Sequence, residues 1–262
     1  MAEPPVLLAI EGGVARVTLN RPEAANAINV ALARGLDEAV QRIAETDGIR
    51  AVVLAGAGER FCGGGDVRSF AASSDLGGML EEVLTSLHPA VAGLGELDAP
   101  VVASVQGSAA GAGLALVAGA DLVLAAYSTK FVMAYTGIGL VPDGGSTWYL
   151  PRVVGTRRAL ELALTNWVLT AEEAHAWGLV TRVLPDSELA EKTDAFVAQI
   201  AAGPTGAYAA AKRLIRSSAT MSLENQLALE ASEIVAAGGT ADGVEGVRAF
   251  AEKRQPRFHG SA

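Results

Sequence analysis

The stretch Val101-Val102-Ala103-Ser104-Val105-Gln106-Gly107-Ser108-Ala109-Ala110-Gly111-Ala112-Gly113 decides the fold, because an apolar run ends there in a glycine-rich turn. A second run has the same design: Ala51-Val52-Val53-Leu54-Ala55 leads, after a short loop, into Phe61-Cys62-Gly63-Gly64-Gly65-Asp66-Val67. Short apolar runs bounded by turn residues are typical of buried strands. Small residues in the turns would let a ligand approach bare backbone N–H groups. Two such turns facing one point would direct two donors at one oxygen, which is how an oxyanion hole works.

Glycine after a strand also has a simpler interpretation, a tight turn or a close contact between helix and strand. The dinucleotide-binding fingerprint is absent, because no third glycine follows Gly111 and Gly113 at the required spacing. The phosphate-loop pattern is absent as well, since no lysine follows the glycines. The turns alone therefore leave both interpretations open.

The 262-residue chain is half apolar and carries a net charge of −9. That length suffices for one large domain or for a domain with an appendage. The acidity argues against general binding to nucleic acid or to anionic membranes. The single cysteine, Cys62, excludes an intramolecular disulfide and favours a reducing cytoplasm. The N-terminus lacks a signal-peptide pattern, and the uncharged stretch 101–120 is too poor in large apolar residues for a membrane span.

Strands and helices alternate over the first 190 residues, which predicts an α/β architecture. The predicted strands are 14–19, 51–55, 101–105, 122–125, 131–132 and 178–184, and the predicted helices are 30–44, 79–97 and 114–118. A capping box at Thr170-Ala171-Glu172-Glu173 opens a further helix. From Leu189 to Phe258 the pattern is only helical, so we predict a catalytic core at 1–190 and a helical region at 191–262. Apolar faces in such an appendage often serve assembly, so we expect oligomers.

Asp143 lies in the segment Leu140-Val141-Pro142-Asp143-Gly144-Gly145-Ser146-Thr147, a loop that enters a predicted helix. One interpretation is an N-cap aspartate, which would accept hydrogen bonds from the first turn. The other is a carboxylate beside an apolar cleft, poised to take a proton from a substrate. No cluster of His, Cys and carboxylates has the spacing of metal ligands, so neither a metal nor a redox cofactor is expected.

Several ordered motifs together resemble the enoyl-CoA hydratase/isomerase (crotonase) superfamily. The similar segments are Asn20-Arg21-Pro22, Asn26-Ala27-Ile28-Asn29, 61–66, 106–113, 139–147 and Glu252-Lys253-Arg254-Gln255-Pro256-Arg257-Phe258. The resemblance implies a spiral core of ββα units followed by a helical trimerisation region, with trimers that pair into hexamers. It also implies an acyl-CoA thioester as substrate, so coenzyme A would be part of the substrate and no separate cofactor is expected.

The resemblance assigns roles to individual residues. It implies that the backbone N–H groups of Gly65 and Ala112 hold the thioester oxygen while an enolate forms. It places Arg68 near the CoA phosphates, and Phe250 and Lys253 among CoA contacts that come partly from a neighbouring subunit. The other substrate or CoA contacts that it implies are Ala25, Ala27, Gly63, Asp66, Val67 and Tyr135.

Two positions depart from the hydratase pattern. Where hydratases carry two glutamates, this chain has Ala115 and Tyr135, so ordinary hydration of a 2-enoyl-CoA is not expected. Members with an aspartate at the position of Asp143 include ring-1,2-epoxyphenylacetyl-CoA isomerases, which also shift a 3-enoyl-CoA double bond to the 2 position. The resemblance therefore implies an isomerase in which Asp143 carries a proton from the α to the γ carbon.

Other functions stay open at this point. In the related 4-chlorobenzoyl-CoA dehalogenases an aspartate at this position attacks the ring, and His88 falls near their catalytic histidine, although a helix flank also explains it. A non-catalytic acyl-CoA-binding subunit would keep the turns without needing Asp143. RNA binding, known in one branch of the superfamily, is disfavoured by the net charge of −9.

Overall fold

The computed structural model describes residues 3–260. The strands are β1 (Val6–Glu11), β2 (Val14–Leu19), β3 (Ala51–Gly56), β4 (Val101–Val105), β5 (Ser108–Ala110), β6 (Leu122–Ala126), β7 (Lys130–Val132), β8 (Leu169–Thr170) and β9 (Arg182–Leu184). The α-helices are α1 (Val30–Ala44), α2 (Val67–Ala72), α3 (Leu76–Glu96), α4 (Ala112–Gly119), α5 (Ser146–Val154), α6 (Thr156–Thr165), α7 (Ala171–Ala176), α8 (Leu189–Ala201), α9 (Thr205–Ser217), α10 (Leu223–Gly239) and α11 (Ala241–Ala251). The predicted α/β class with a helical C-terminus is confirmed.

The strands form two sheets whose order positions the glycine-rich turns. The six-stranded sheet has the order β1-β2-β3-β4-β6-β9, and all pairs except β1 with β2 are parallel. A three-stranded sheet has the order β5-β7-β8. Because β3 and β4 are parallel neighbours, the chain leaves both at the same edge of the sheet.

The central strands β3, β4 and β6 of the six-stranded sheet are buried on both faces, to which alternate residues of each strand point. Val52 and Leu54 of β3 belong to the main core, which includes α1 and α3. Val53 belongs to a second cluster, in which Leu189 and Val197 of α8 cover the other face. The first helix beyond the predicted boundary near residue 190 thus packs against the sheet.

The local predictions fit where the pattern was strong. Strands 14–19 and 101–105 and helix 30–44 have the predicted bounds, and the capping box at Thr170 and Glu173 is present. Helix α3 begins three residues earlier than predicted, because the Asp75 side chain accepts a hydrogen bond from the N–H of Gly78. The prediction missed β5 within the second glycine-rich stretch. It also missed β1, an edge strand whose residues are mostly exposed.

Candidate active site

The two glycine-rich turns lie in direct contact. The N–H of Cys62 donates to the carbonyl of Ser108 (3.1 Å), and the N–H of Ala110 donates to the carbonyl of Cys62 (2.9 Å). Gly64 has φ +95°, and a Cβ atom there would lie 2.9 Å from the carbonyl oxygen of Ala110. A side chain at Gly64 would therefore separate the turns, so this close approach requires glycine.

Each turn presents a backbone N–H group that makes no hydrogen bond within residues 3–260. Ile28 pairs with the first turn as in a parallel sheet: its N–H donates to the carbonyl of Gly64, and its carbonyl accepts from the N–H of Asp66. The N–H of Gly65, between these two residues, takes no part in the pairing. Ala112 opens α4, and no side chain caps that helix. The first N–H groups of a helix have no acceptor within it, and its dipole makes that end attractive to negative charge.

Cys62 is a packing residue between the turns. It is fully buried, and a Cβ atom at Gly113 would lie 2.7 Å from the Cys62 Cβ. Burial raises the pKa of the thiol to about 12, although a hydrogen bond from the Gly64 backbone acts in the opposite direction. The thiol is therefore protonated at neutral pH.

Asp66 has its side chain engaged within the protein. Its carboxylate accepts from the N–H of Ser69 (3.2 Å), which caps α2, and from the Arg21 guanidinium (3.0 Å). Burial raises the pKa of Asp66, but these two donors outweigh it and hold the pKa below its ordinary value. The predicted substrate contacts Val67 and Arg68 stand next to it, exposed on the first turn of α2.

The segment with Ala25 and Ala27 lies against the first turn, since the N–H of Gly63 donates to the carbonyl of Ala25 (2.8 Å). Between them, Asn26 is fully buried at φ +54°. Its side-chain amide donates to the carbonyls of Ala57, Arg60 and Phe61 (2.9, 2.7 and 3.1 Å). Sequence reasoning missed this role, which fixes the loop between β3 and the first turn.

Phe70 is a second residue that sequence reasoning missed. A Cβ atom at Gly65 would lie 2.7 Å from Cε2 of Phe70, so the ring covers Gly65. The N–H of Phe70 donates to the carbonyl of Asp66 (3.0 Å) in the first turn of α2, which fixes the backbone that carries the ring. One of the two free N–H groups thus has an apolar wall beside it.

The Asp143 loop lies against the N-terminal part of α4. Gly144 has φ +58°, and a Cβ atom there would lie 3.2 Å from the Cβ of Ala115, one helical turn after Ala112. Helix α5 begins at Ser146, and its N-cap residue is Gly145. The N-cap interpretation of Asp143 is therefore wrong: its carbonyl accepts from Ser146, and its carboxylate accepts from the hydroxyl of Tyr135.

Tyr135 lies between the second turn and Asp143. Its ring edge would be 3.8 Å from a Cβ atom at Gly111, the residue before Ala112. Burial raises the pKa of the phenol, and the neighbouring charge of Asp143 raises it further. The hydroxyl is therefore a neutral donor at physiological pH.

Two of the residues named from the sequence, Phe250 and Lys253, lie apart from this cluster. Phe250 and Lys253 are exposed in and just after α11. Arg50 lies just before the start of β3, at the end of the strand opposite the glycine-rich turn. Its guanidinium donates to the carbonyl of Phe258, so the tail that follows Lys253 packs at that end. His88 is exposed on α3, as expected for a helix flank.

Comparison with known proteins identifies the family. The model of the family described as enoyl-CoA hydratase/isomerase matches residues 9–261. The chain belongs to the enoyl-CoA hydratase/isomerase family. It is 42% identical to the 1,2-epoxyphenylacetyl-CoA isomerase of Escherichia coli K12, over 97% of this chain and 98% of that protein. It is 43% identical to a protein of Rhodobacter capsulatus named a probable enoyl-CoA hydratase, over 96% of each chain.

A solved structure supports the same assignment. The enoyl-CoA hydratase of Mycobacterium smegmatis superposes with a TM-score of 0.91 at 34% identity, covering 98% of this chain and all of that one. The crotonase fold expected from the motifs is thus confirmed, and an acyl-CoA thioester is the substrate class expected for the family. Within residues 3–260, no helix is both long and apolar enough to cross a membrane.

Proposed function

We propose that this enzyme isomerises an acyl-CoA thioester, moving a 3-enoyl double bond to the 2 position. The observation that carries the proposal is the Asp143 carboxylate on a loop that packs against α4, close to where Ala112 presents its free N–H. A thioester oxygen bound between the N–H groups of Gly65 and Ala112 would acidify the adjacent α carbon. Donors of this kind are worth ~3–4 kcal/mol each when they act on developing negative charge.

The proposed reaction is a single-base proton shuttle. Asp143 removes a proton from the α carbon, and the electron pair forms a dienolate whose oxygen accepts from Gly65 and Ala112. Asp143 then returns the proton to the γ carbon, which leaves the double bond between the α and β carbons. One carboxylate suffices, because it can reach both the α and the γ carbon from the same face of the substrate. The step needs no cofactor beyond the coenzyme A of the substrate.

Isomerisation has more support than hydration. Ala115 is buried against Gly144, and Tyr135 is hydrogen-bonded to Asp143, so neither position supplies a second carboxylate to activate water. The Escherichia coli relative is named for isomerising 1,2-epoxyphenylacetyl-CoA. We therefore propose an aromatic ring-epoxide thioester as the second substrate to test, with the same two N–H groups polarising the thioester.

We also propose that the enzyme works as a homotrimer or a hexamer. No residue of α10 is buried, and Ile234 and Val235 on that helix are 73% and 75% exposed. Phe250 on α11 is 87% exposed. Such apolar exposure favours burial against another copy, which would bring Phe250 and Lys253 to a neighbouring active site.

Product analysis of the purified enzyme tests the proposed function. 3-Hexenoyl-CoA, 2-hexenoyl-CoA and 4-chlorobenzoyl-CoA would be supplied separately. Conjugated enoyl-CoA, 3-hydroxyacyl-CoA and free halide would be quantified. The proposal predicts conjugated product from the first substrate and at most traces from the other two. Fast hydration of 2-hexenoyl-CoA or release of halide would contradict it, and no turnover of any of the three would favour a non-catalytic binder.

A further inference from the structure

We propose that Tyr135 is a positioning residue for Asp143: its hydroxyl holds Oδ1 of the carboxylate and leaves Oδ2 to exchange the proton with the substrate. This inference rests on the proposed isomerase function. Within residues 3–260, Oδ2 has no hydrogen-bond partner, whereas Oδ1 accepts from the phenol. The two oxygens of one carboxylate thus have different tasks.

The fold fixes the phenol relative to the second glycine-rich turn. Ala134 turns the chain out of β7 at φ +61°, and the carbonyl of Tyr135 accepts from the N–H groups of Ile138 and Leu140 (3.1 Å each). The end of β7 is bound to the same turn, because the N–H of Gly111 donates to the carbonyl of Val132 (3.0 Å). The ring edge in contact with Gly111 completes this link. The hydroxyl is therefore held in a constant place relative to the N–H of Ala112.

The carboxylate is fixed from its own side as well. The N–H and hydroxyl of Ser146 both donate to the carbonyl of Asp143 (3.0 and 2.8 Å). Gly144 packs on Ala115 of α4. With the backbone held and Oδ1 bound, rotation of the carboxylate would break the phenol hydrogen bond. Oδ2 thus stays on one face of the substrate, as a shuttle between the α and γ carbons requires.

Other ionisable groups on the elements near the pair include Cys62 on the first turn, His88 on α3, and Tyr149 and Arg152 on α5. Helix α4 carries no ionisable side chain, and Cys62 stays protonated. On α3, which contacts Gly145 through Val91, His88 is exposed to solvent. On α5, Arg152 lies over the Trp148 ring, 4.0 Å from its centroid, and Tyr149 contacts Gly145. Among residues 3–260, the phenol is therefore the group that donates a hydrogen bond to the Asp143 carboxylate.

The test is the pH–rate profile of the Tyr135→Phe variant with 3-hexenoyl-CoA as substrate. The matched control is Tyr127→Phe, which removes the hydroxyl of an exposed tyrosine. Loss of a hydrogen bond to a charged group predicts that kcat falls roughly tenfold to a hundredfold and that the acid limb moves up by roughly one to two pH units. KM stays within about twofold, because the phenol acts through Asp143 and not on the substrate. Tyr127→Phe matches the wild type.

A rise in KM with an unchanged kcat and pH profile would overturn the inference and make Tyr135 a substrate contact. An unchanged pH–rate profile together with lower thermal stability would overturn the inference as well, because Tyr135 would then contribute only to packing. If Tyr135→Phe does not fold, 3,5-difluorotyrosine can replace Tyr135, because it has nearly the same shape and a hydroxyl that donates more strongly. The inference then predicts that the acid limb of the pH–rate profile moves to lower pH. An Asp143→Asn variant that retains isomerase activity would overturn the proposed function itself. An inactive Asp143→Asn beside an unaffected Tyr135→Phe would overturn only the role of Tyr135.

Discussion

Replacing Gly64 by alanine tests whether the close contact of the two turns is required for activity. The new Cβ atom would lie 2.9 Å from the carbonyl oxygen of Ala110, and φ +95° is a conformation that side chains rarely adopt. The backbone strain costs ~1–3 kcal/mol. Because the obstacle is backbone and not a flexible side chain, relief requires the turns to move apart, which displaces the N–H of Gly65 relative to that of Ala112.

Displacement of one oxyanion donor predicts a fall in kcat of about 10²–10³-fold. The assay is the ultraviolet absorbance of conjugated product formed from 3-hexenoyl-CoA. The matched control is Gly48→Ala, since Gly48 also has a positive φ of +76° but has nothing within 4 Å of a Cβ atom. Both variants should lose some stability, and only Gly64→Ala should lose activity. Equal activity of the two variants would refute the reasoning.

Three further predictions concern stability and assembly. Asn26→Ala removes four side-chain hydrogen bonds in the buried interior and should lower the free energy of unfolding by roughly 3–4 kcal/mol in urea titrations; a loss below ~1 kcal/mol would contradict its assigned role. Hydrogen bonds from the Arg254 side chain and the Arg257 backbone lower the pKa of Glu245 to about 2. The stabilisation that Glu245 gives the C-terminal tail is therefore present at neutral pH and is lost as the pH falls from about 4.5 through about 2. Limited proteolysis should detect the loosened tail in that window, and Glu245→Gln should loosen it at pH 7; a tail equally resistant in both would contradict this. Val247→Asp with Phe250→Asp, at 75% and 87% exposed positions, should convert the proposed oligomer to monomer in size-exclusion chromatography, and an unchanged elution volume would exclude this surface from the interface.

The sequence predicted best what local patterns specify. Strand β4 and helix α1 have apolar spacing and flanking breakers that mark their bounds in the sequence, although β4 also pairs with β3 and β6 in the sheet. Strand β5 has only three residues and is defined by its pairing with β7, so no pattern within 106–113 could reveal it. Strand β1 lacks alternation, because as an edge strand most of its side chains face solvent.

The candidate site also has features that the sequence indicates and features that only the fold brings together. The glycine turns were visible because small residues are the cause of their close approach. Asn26 stands in one of the segments that resemble the family, but the sequence does not show what its side chain binds, since its partners between Ala57 and Phe61 are brought to it by the fold. The hydrogen bond from Tyr135 to Asp143 depends on the left-handed backbone of Ala134 and on two glycines after Asp143, which together decide where both side chains meet. Residue spacing alone carries no such information.

The most direct test of the central claim is the rate at which 3-hexenoyl-CoA is converted to conjugated 2-hexenoyl-CoA by the wild type, by Asp143→Asn and by Asp47→Asn, which changes an exposed aspartate after α1. Loss of the shuttle base predicts a fall of at least about 10²-fold for Asp143→Asn, with Asp47→Asn equal to the wild type. An Asp143→Asn enzyme that keeps wild-type activity would contradict the account.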